Sequence, residues 1–160
     1  FNFGFGQSPA IVTRNYAQLG IKLPFYQSHG VASDGFLDLL GDAGEGLRLP
    51  ASPLLVPDSL PDSDPQKAVV QSYKALYEQR WNVSVSTFGG YAHDGLMLAV
   101  AAIEKAGSTD REAVRKALES IQGYVGVTGV FNMSAQNHNG LTPDSFRILE
   151  VQNGQWKLIN

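Results

Sequence analysis

The period of hydrophobic and polar positions changes several times along the chain, and each change marks an expected element. Phe1 to Gly6, "FNFGFG", alternates aromatic with small or polar residues, the period of a strand, and runs into a Gly-rich turn. Ser8-Pro9 follows as an N-cap with proline at the first helical position, and "PAIVTRNYAQL" reads as a helix closed by Gly20. "KLPFYQ" is a second short strand. Ser33 or Asp34 caps a short helix, "GFLDLL", which Gly41 ends. "GLRLPASPLLV" is extended but broken by Pro50, Pro53 and Pro57, and "PDSLPDSDP" is a turn-rich connector.

In the second half, Asp64-Pro65 repeats the cap-plus-proline signal. The helix that follows, to about Trp81, carries Val69, Val70, Tyr73, Leu76 and Tyr77 on one stripe. Tyr91 to Ala106 is apolar nearly all round, the pattern of a buried helix, and Gly107 stops it. Thr109 and Glu112 form a capping box for "DREAVRKALESI", which Gly123 ends. "GVTGVFNM" is a strand, "SAQNHNG" a polar turn, and "FRILEVQ" and "QWKLI" a hairpin joined at Asn153-Gly154. Strands alternating with capped helices, closed by a hairpin, predict an α/β fold.

Composition narrows the function classes. The chain has 160 residues, of which 43% are hydrophobic and 17% charged, ordinary values for a globular protein with a sizeable core. A net charge of −3 and scattered Lys and Arg argue against nucleic acid as a partner. With no cysteine, a disulfide, a thiolate metal site and a Cys nucleophile are all impossible. The longest strongly apolar run, Leu96 to Ile103, is far short of the roughly 20 residues a membrane span needs. No signal peptide leads the chain, which opens on Phe1 without Met, as a mature product, a trimmed chain or a fragment would.

Catalytic signals are weak. "GFGQSP" leaves a strand and opens a helix, as a phosphate loop does, but Pro9 stands where the third glycine of a dinucleotide fingerprint belongs. Its helix N-terminus still offers free N–H groups to a carboxylate, so the turn is expected to face a ligand. "GDAGEG" follows a helix and precedes a strand, the reverse of a phosphate loop, and is a turn. His93 and Asp94 are helix neighbours pointing about 100° apart. One of them is expected in a polar contact and the other solvated or capping. His138 falls in a polar turn, where solvation is expected. The three histidines lack metal-ligand spacing, no Ser stands in a nucleophile elbow, and no carboxylates are paired for acid–base work. An enzyme therefore lacks support, and no catalytic residue, metal or cofactor is assigned.

His29 alone is more often a satisfied polar residue than a ligand reader. Its location shifts those odds, because ligands of open α/β sheets lie beyond the carboxyl ends of the strands. "FNFGFGQ" and "FYQSHG" would be neighbouring strands through one crossover, so their tips should converge on one crevice.

The order of these stretches resembles the periplasmic solute-binding proteins of branched-chain amino acid type ABC transporters. The resemblance is carried by "NYAQLGIKLPFYQSHGVASDGFLDLLGDAGEGL", "LPDSDPQKAVVQSYKALYEQRW", "FGGYAHDGLMLAVAAIEKAGSTDREAVRKALESI", "GVTGVFNM" and "ILEVQNGQW". Within them "GYAHDG" is similar to the family's Tyr-Asp-Ala motif, with His93 beside Asp94 and Gly95 in the Ala place. No one motif is diagnostic, but their order spans essentially the whole chain.

The resemblance implies a three-layer α/β/α periplasmic-binding fold, present here in part. Residues 1–51 and 127–160 would belong to the second ligand-binding lobe, and residues 52–126 to part of the first. It also implies an extracytoplasmic protein, periplasmic or lipid-anchored outside a Gram-positive cell. The protein would hand a small ligand from an interlobe cleft to ABC permease subunits. Alternatively it would be a sensing receptor of the same fold. The absent opening of the first lobe normally supplies the Ser and Thr groups that hold a ligand carboxylate. A chain without it should bind poorly and need a partner, either that N-terminal half or a second copy. Phe3, Gly4, Phe5, Gln7, Ser28, His29, Gly30 and Phe88 are the expected ligand-binding residues, with Phe1 near the same cleft. Amino-acid-binding members carry a Glu at the position matching His29, where it holds the ligand ammonium. An imidazole does that poorly, so an acceptor-bearing ligand is expected, with an aromatic acid preferred over an ordinary α-amino acid.

Overall fold

The first two strand tips lie side by side in the computed structural model, which describes residues 1–159. Asn2 bridges Gln27 and Tyr26 bridges Arg48, both in parallel. The Asn2 amide donates to the Tyr26 carbonyl at 2.8 Å, and the Ser28 amide donates to the Asn2 carbonyl at 3.0 Å. The expected strands at "FNFGFG" and "KLPFYQ" are thus reduced to single bridges. Phe1, Phe3 and Phe5 are exposed, so their alternation has no packed face to hold a longer ladder.

From Arg48 the sheet becomes regular. β1 (Arg48–Ala51) pairs antiparallel with β4 (Arg147–Gln152), and β4 with β5 (Gln155–Leu158). Asn153 and Gly154, at φ 54° and 69°, make the tight turn between β4 and β5, both in the left-handed region such hairpins require. Leu49, Ala51, Leu149, Val151 and Trp156 form the buried side of this sheet. Ala10 of α1 (Ser8–Gln18) and Phe36 and Leu40 of α2 (Asp34–Leu40) cover it. Each fully buried leucine contributes about 1.5–3 kcal/mol.

On the opposite side of β1, Arg48 Nε meets Glu150 Oε2 at 2.6 Å. The hydrogen bond from Gln152, reinforced by the Arg48 guanidinium, holds the Glu150 carboxyl below its ordinary value. A depressed carboxylate stabilises the fold above its unfolded pKa of about 4.3, and that contribution fades as pH falls through the folded value. The thermal midpoint is therefore expected to drop between pH 5 and pH 3, and Glu150→Gln should flatten part of that drop. An identical pH profile in the variant would contradict this.

The helical part contains α3 (Lys67–Trp81), α4 (Thr87–Ala106) and α5 (Arg111–Glu119). Three expectations shift here. α4 begins at Thr87 rather than Tyr91, because the Ser86 hydroxyl accepts from the Gly89 amide. It is also not buried all round. Asp94, Leu98 and Ala102 face inward at helical spacing, while Leu96 (65% exposed), Met97, Val100 and Ile103 face out. Nor do Thr109 and Glu112 form a capping box. Asp110 caps α5 by accepting from the Ala113 amide at 2.9 Å, and Glu112 pairs with Arg115 instead.

Two caps elsewhere also differ in detail. Gln7, not Ser8, is the boundary residue of α1, and Ser8 is already helical. Asp64 accepts from the Gln66 amide in a turn ahead of α3, whose regular part starts at Lys67. At the short α2, Ser33 rather than Asp34 is the cap, accepting from the Phe36 amide.

"GVTGVFNM" is not one strand. β2 (Tyr124–Val125) and β3 (Val130–Phe131) form a small hairpin around a turn at residues 126–129. Phe131 and Met133 pack with Leu98 and Ala102 of α4 and with Ala117 and Ile121 of α5 and the segment after it. Residues 124–133, which straddle the expected lobe boundary, therefore join the helical core. A third cluster, Leu54, Leu60, Val70, Val85 and Val127, lies under α3. Of the expected α3 stripe only Val70 is fully buried, and Leu76 is largely exposed.

Candidate functional site

The two adjacent strand tips open onto one hollow of about 620 Å³. Phe3, Phe5, Gly6 and Gln7 come from the first tip and the start of α1. Ser28, His29, Gly30 and Val31 come from the second tip and a single 3-10 turn, His29–Val31. Ser33, Gly35, Phe36 and Leu39 add one side of α2, and Phe88 adds the first turn of α4. Phe3, Phe5, Gln7, Ser28, His29, Gly30 and Phe88 were all expected from the sequence, and the fold brings them together. Gly4 is not on the wall, but its carbonyl accepts from the Ser28 hydroxyl at 2.6 Å.

That hydrogen bond explains the local shape. Ser28 is buried, and its oxygen also accepts from the Gly30 amide at 3.3 Å, starting the 3-10 turn that carries His29. Its one hydroxyl proton is committed to Gly4, so Ser28 ties the two tips together. Gln27, buried one residue earlier, adds a second tie by donating to Thr13 Oγ1 at 2.9 Å and to the Pro9 carbonyl at 3.2 Å. Gln27 was not anticipated, since nothing local in "FYQSHG" tells which amide turns toward α1.

The wall is mostly apolar, with Phe3, Phe5, Phe36 and Phe88 supplying its rings. Among the described residues His29 is its one titratable side chain, and no carboxylate or cation joins it. Neither imidazole nitrogen has a hydrogen-bond partner among the described residues, so both are available to something in the hollow. The Phe146 ring lies 5.7 Å away, tilted at 49°.

The other histidines are engaged elsewhere. Asp94, 1% exposed, accepts from the Val127 amide at 2.9 Å, the Thr128 amide at 2.8 Å and the Thr128 hydroxyl at 2.5 Å. A Cβ on Gly126 would sit 2.6 Å from this carboxylate, so only glycine lets the turn approach. His93 Nδ1 is 3.5 Å from the same carboxylate, and its ring stands edge-on to Tyr73. With both oxygens occupied, Asp94 is a buried latch rather than a general base. His138 is exposed, as expected, and also sits 3.1 Å from Glu119, which pairs with Arg115.

A wider and shallower hollow, about 750 Å³, runs along α3 between Val69, Tyr73, Leu76, Tyr77, Trp81 and His93. Ser72, Arg80 and His93 also reach it, but most of its lining comes from α3, whose Leu76 and Trp81 are exposed, so it reads as a packing face rather than a small-molecule site.

The profile of the Periplasmic binding protein family covers residues 1–155. This chain belongs to the periplasmic binding protein family. Its fold superposes with a TM-score of 0.89 on a protein of Rhodopseudomonas palustris (strain CGA009), at 26% identity. It does so equally, at 27% identity, on an extracellular ligand-binding receptor from Rhodopseudomonas palustris HaA2. In both cases 98% of this chain covers 46% of the other, so the chain spans less than half the length of these structures. A leucine binding protein, LivK, from Thermotoga maritima shares the fold at 22% identity and a TM-score of 0.81. Among curated proteins, none matches the chain.

Proposed function

We infer that this chain is the back half of an extracytoplasmic solute-binding protein whose ligand is a small aromatic carboxylate. The observation that carries this reading is the hollow itself, an aromatic wall holding one imidazole and no carboxylate. An α-amino acid needs an anionic partner for its ammonium, and this wall offers none. A neutral imidazole can donate one hydrogen bond, and a protonated one adds charge, so either suits a carboxylate or phenol. Stacked rings then add area and shape selection. The role is binding and delivery to an ABC permease, with no turnover.

The two-lobe architecture supports the same reading. Residues 1–51 and the β4–β5 hairpin would form one lobe, and α3 to β3 would belong to the other. The outward faces of α3 and α4, with Leu76, Trp81, Leu96, Val100 and Ile103 uncovered, would then pack against the rest of the first lobe. The remaining ligand contacts would come from that lobe.

Calorimetric titration of the complete encoded protein tests the function. Benzoate and 4-hydroxybenzoate are expected to bind at least ~10-fold more tightly than leucine, the worth of about one hydrogen bond to a charged group. Tight leucine binding with no response to either acid would overturn the reading.

A further inference from the structure

The imidazole of His29 lines the hollow without a hydrogen-bond partner among the described residues to fix its rotamer, and the Phe146 ring lies beside it. Phe146 is not part of the wall and is 41% exposed, so it is not a core side chain. Its backbone is nonetheless held from both sides. Its amide donates to the Pro143 carbonyl at 3.0 Å, closing the Pro143–Ser145 turn. The next residue, Arg147, pairs opposite Ala51 in the sheet, and its Nη2 meets Asp64 Oδ2 at 2.9 Å. Asp64 is itself fixed by accepting from the Gln66 amide, and the Gln66 side chain donates to the Gly126 carbonyl at 3.0 Å. A solvent-facing ring on so constrained a backbone, resting on the wall's one titratable side chain, calls for a reason other than stability.

We propose that Phe146 is a positioning residue: from behind the wall it holds the His29 imidazole in the orientation that presents a ring nitrogen to the bound carboxylate. The proposal rests on the aromatic-acid reading of the hollow and adds to it a residue that never touches the ligand. Packing Phe146 against one side of the imidazole removes rotamers that a ligand would otherwise have to select against. Aromatic pairs of this kind correspond to roughly threefold to tenfold in an equilibrium.

The test uses the complete encoded protein and its variants Phe146→Leu, Phe146→Tyr and His29→Ala, with benzoate as the probe. Phe146→Leu should weaken benzoate by about threefold to tenfold without moving the thermal midpoint. It should also shift the His29 ring-proton resonances as the neighbouring ring current is lost, and Phe146→Tyr should restore both. On a His29→Ala background, Phe146→Leu should have no further effect on affinity. Unchanged benzoate affinity in Phe146→Leu would overturn the proposal, and so would an equal loss on the His29→Ala background. Should the wild-type protein not bind benzoate at all, the functional reading and the positioning role that rests on it fall together, whereas benzoate binding that Phe146→Leu leaves unchanged overturns the positioning role alone.

Discussion

Replacing Asp94 with alanine is expected to destabilise the protein by about 3–5 kcal/mol. Three donors converge on this carboxylate, two of them backbone amides that cannot turn away. A hydrogen bond to a charged group contributes roughly 1.5–3 kcal/mol, and a buried donor left without an acceptor costs about 1–3 kcal/mol. The losses overlap, so their sum is an upper bound, and values of about 4–5 kcal/mol already mark the extreme of single substitutions. Asp94→Asn should recover only part of the loss, because its amide nitrogen brings a donor to a site full of donors. Thr128→Val, which removes only the hydroxyl, should cost about 1 kcal/mol. Urea denaturation of the complete encoded protein measures all three. A loss below about 1 kcal/mol for Asp94→Ala would mean that the turn at residues 126–129 does not depend on the latch.

The largest effect on binding is expected from His29→Glu. A carboxylate placed on the imidazole's side of the hollow would face the ligand's own carboxylate across apolar walls. Two unit charges about 4 Å apart at an effective dielectric near 20 interact by about 4 kcal/mol, here with repulsive sign. Partial exposure of the site lowers that figure. Benzoate affinity should still fall by at least ~100-fold, and leucine affinity should rise by ~10-fold or more as the new carboxylate meets its ammonium. Calorimetric titration of both ligands against the variant reads the two changes together. Benzoate affinity preserved within about threefold would show that the imidazole does not touch the acid.

Much of the helical framework and the convergence of the two tips could be read in advance, because their causes are local. Gly20 and Ser33 act on neighbours within four residues, Asn153-Gly154 sets its own turn, and α1 brings its flanking strands together as an αβ unit does. The misreadings have distant causes. Asp94's acceptors serve amides 33 and 34 residues later, across a hairpin that looked like one strand. The all-round apolar pattern of α4 predicts burial on every side, but Leu96, Met97, Val100 and Ile103 face out. It did not say that half of the helix would be left uncovered within this span. Phe146 reaches His29 from more than a hundred positions away, and nothing in "PDSFRIL" marks its ring as different from any strand residue. At the caps, Asp110 displaced Thr109 through a one-residue difference in where the helix begins, a scale on which pattern reading is weakest.

The chain leaves the sheet once, after Ala51, and re-enters it once, at Arg147, and the Asp64–Arg147 ion pair ties those two passages to each other. That knot stands one residue from Phe146, and the Thr87 hydroxyl donating to the Ala32 carbonyl makes a second tie between the helical part and the strand tips. With side chains only 23% and 7% exposed, the pair is shielded from dissolved ions and should keep the two passages fastened across a wide range of salt.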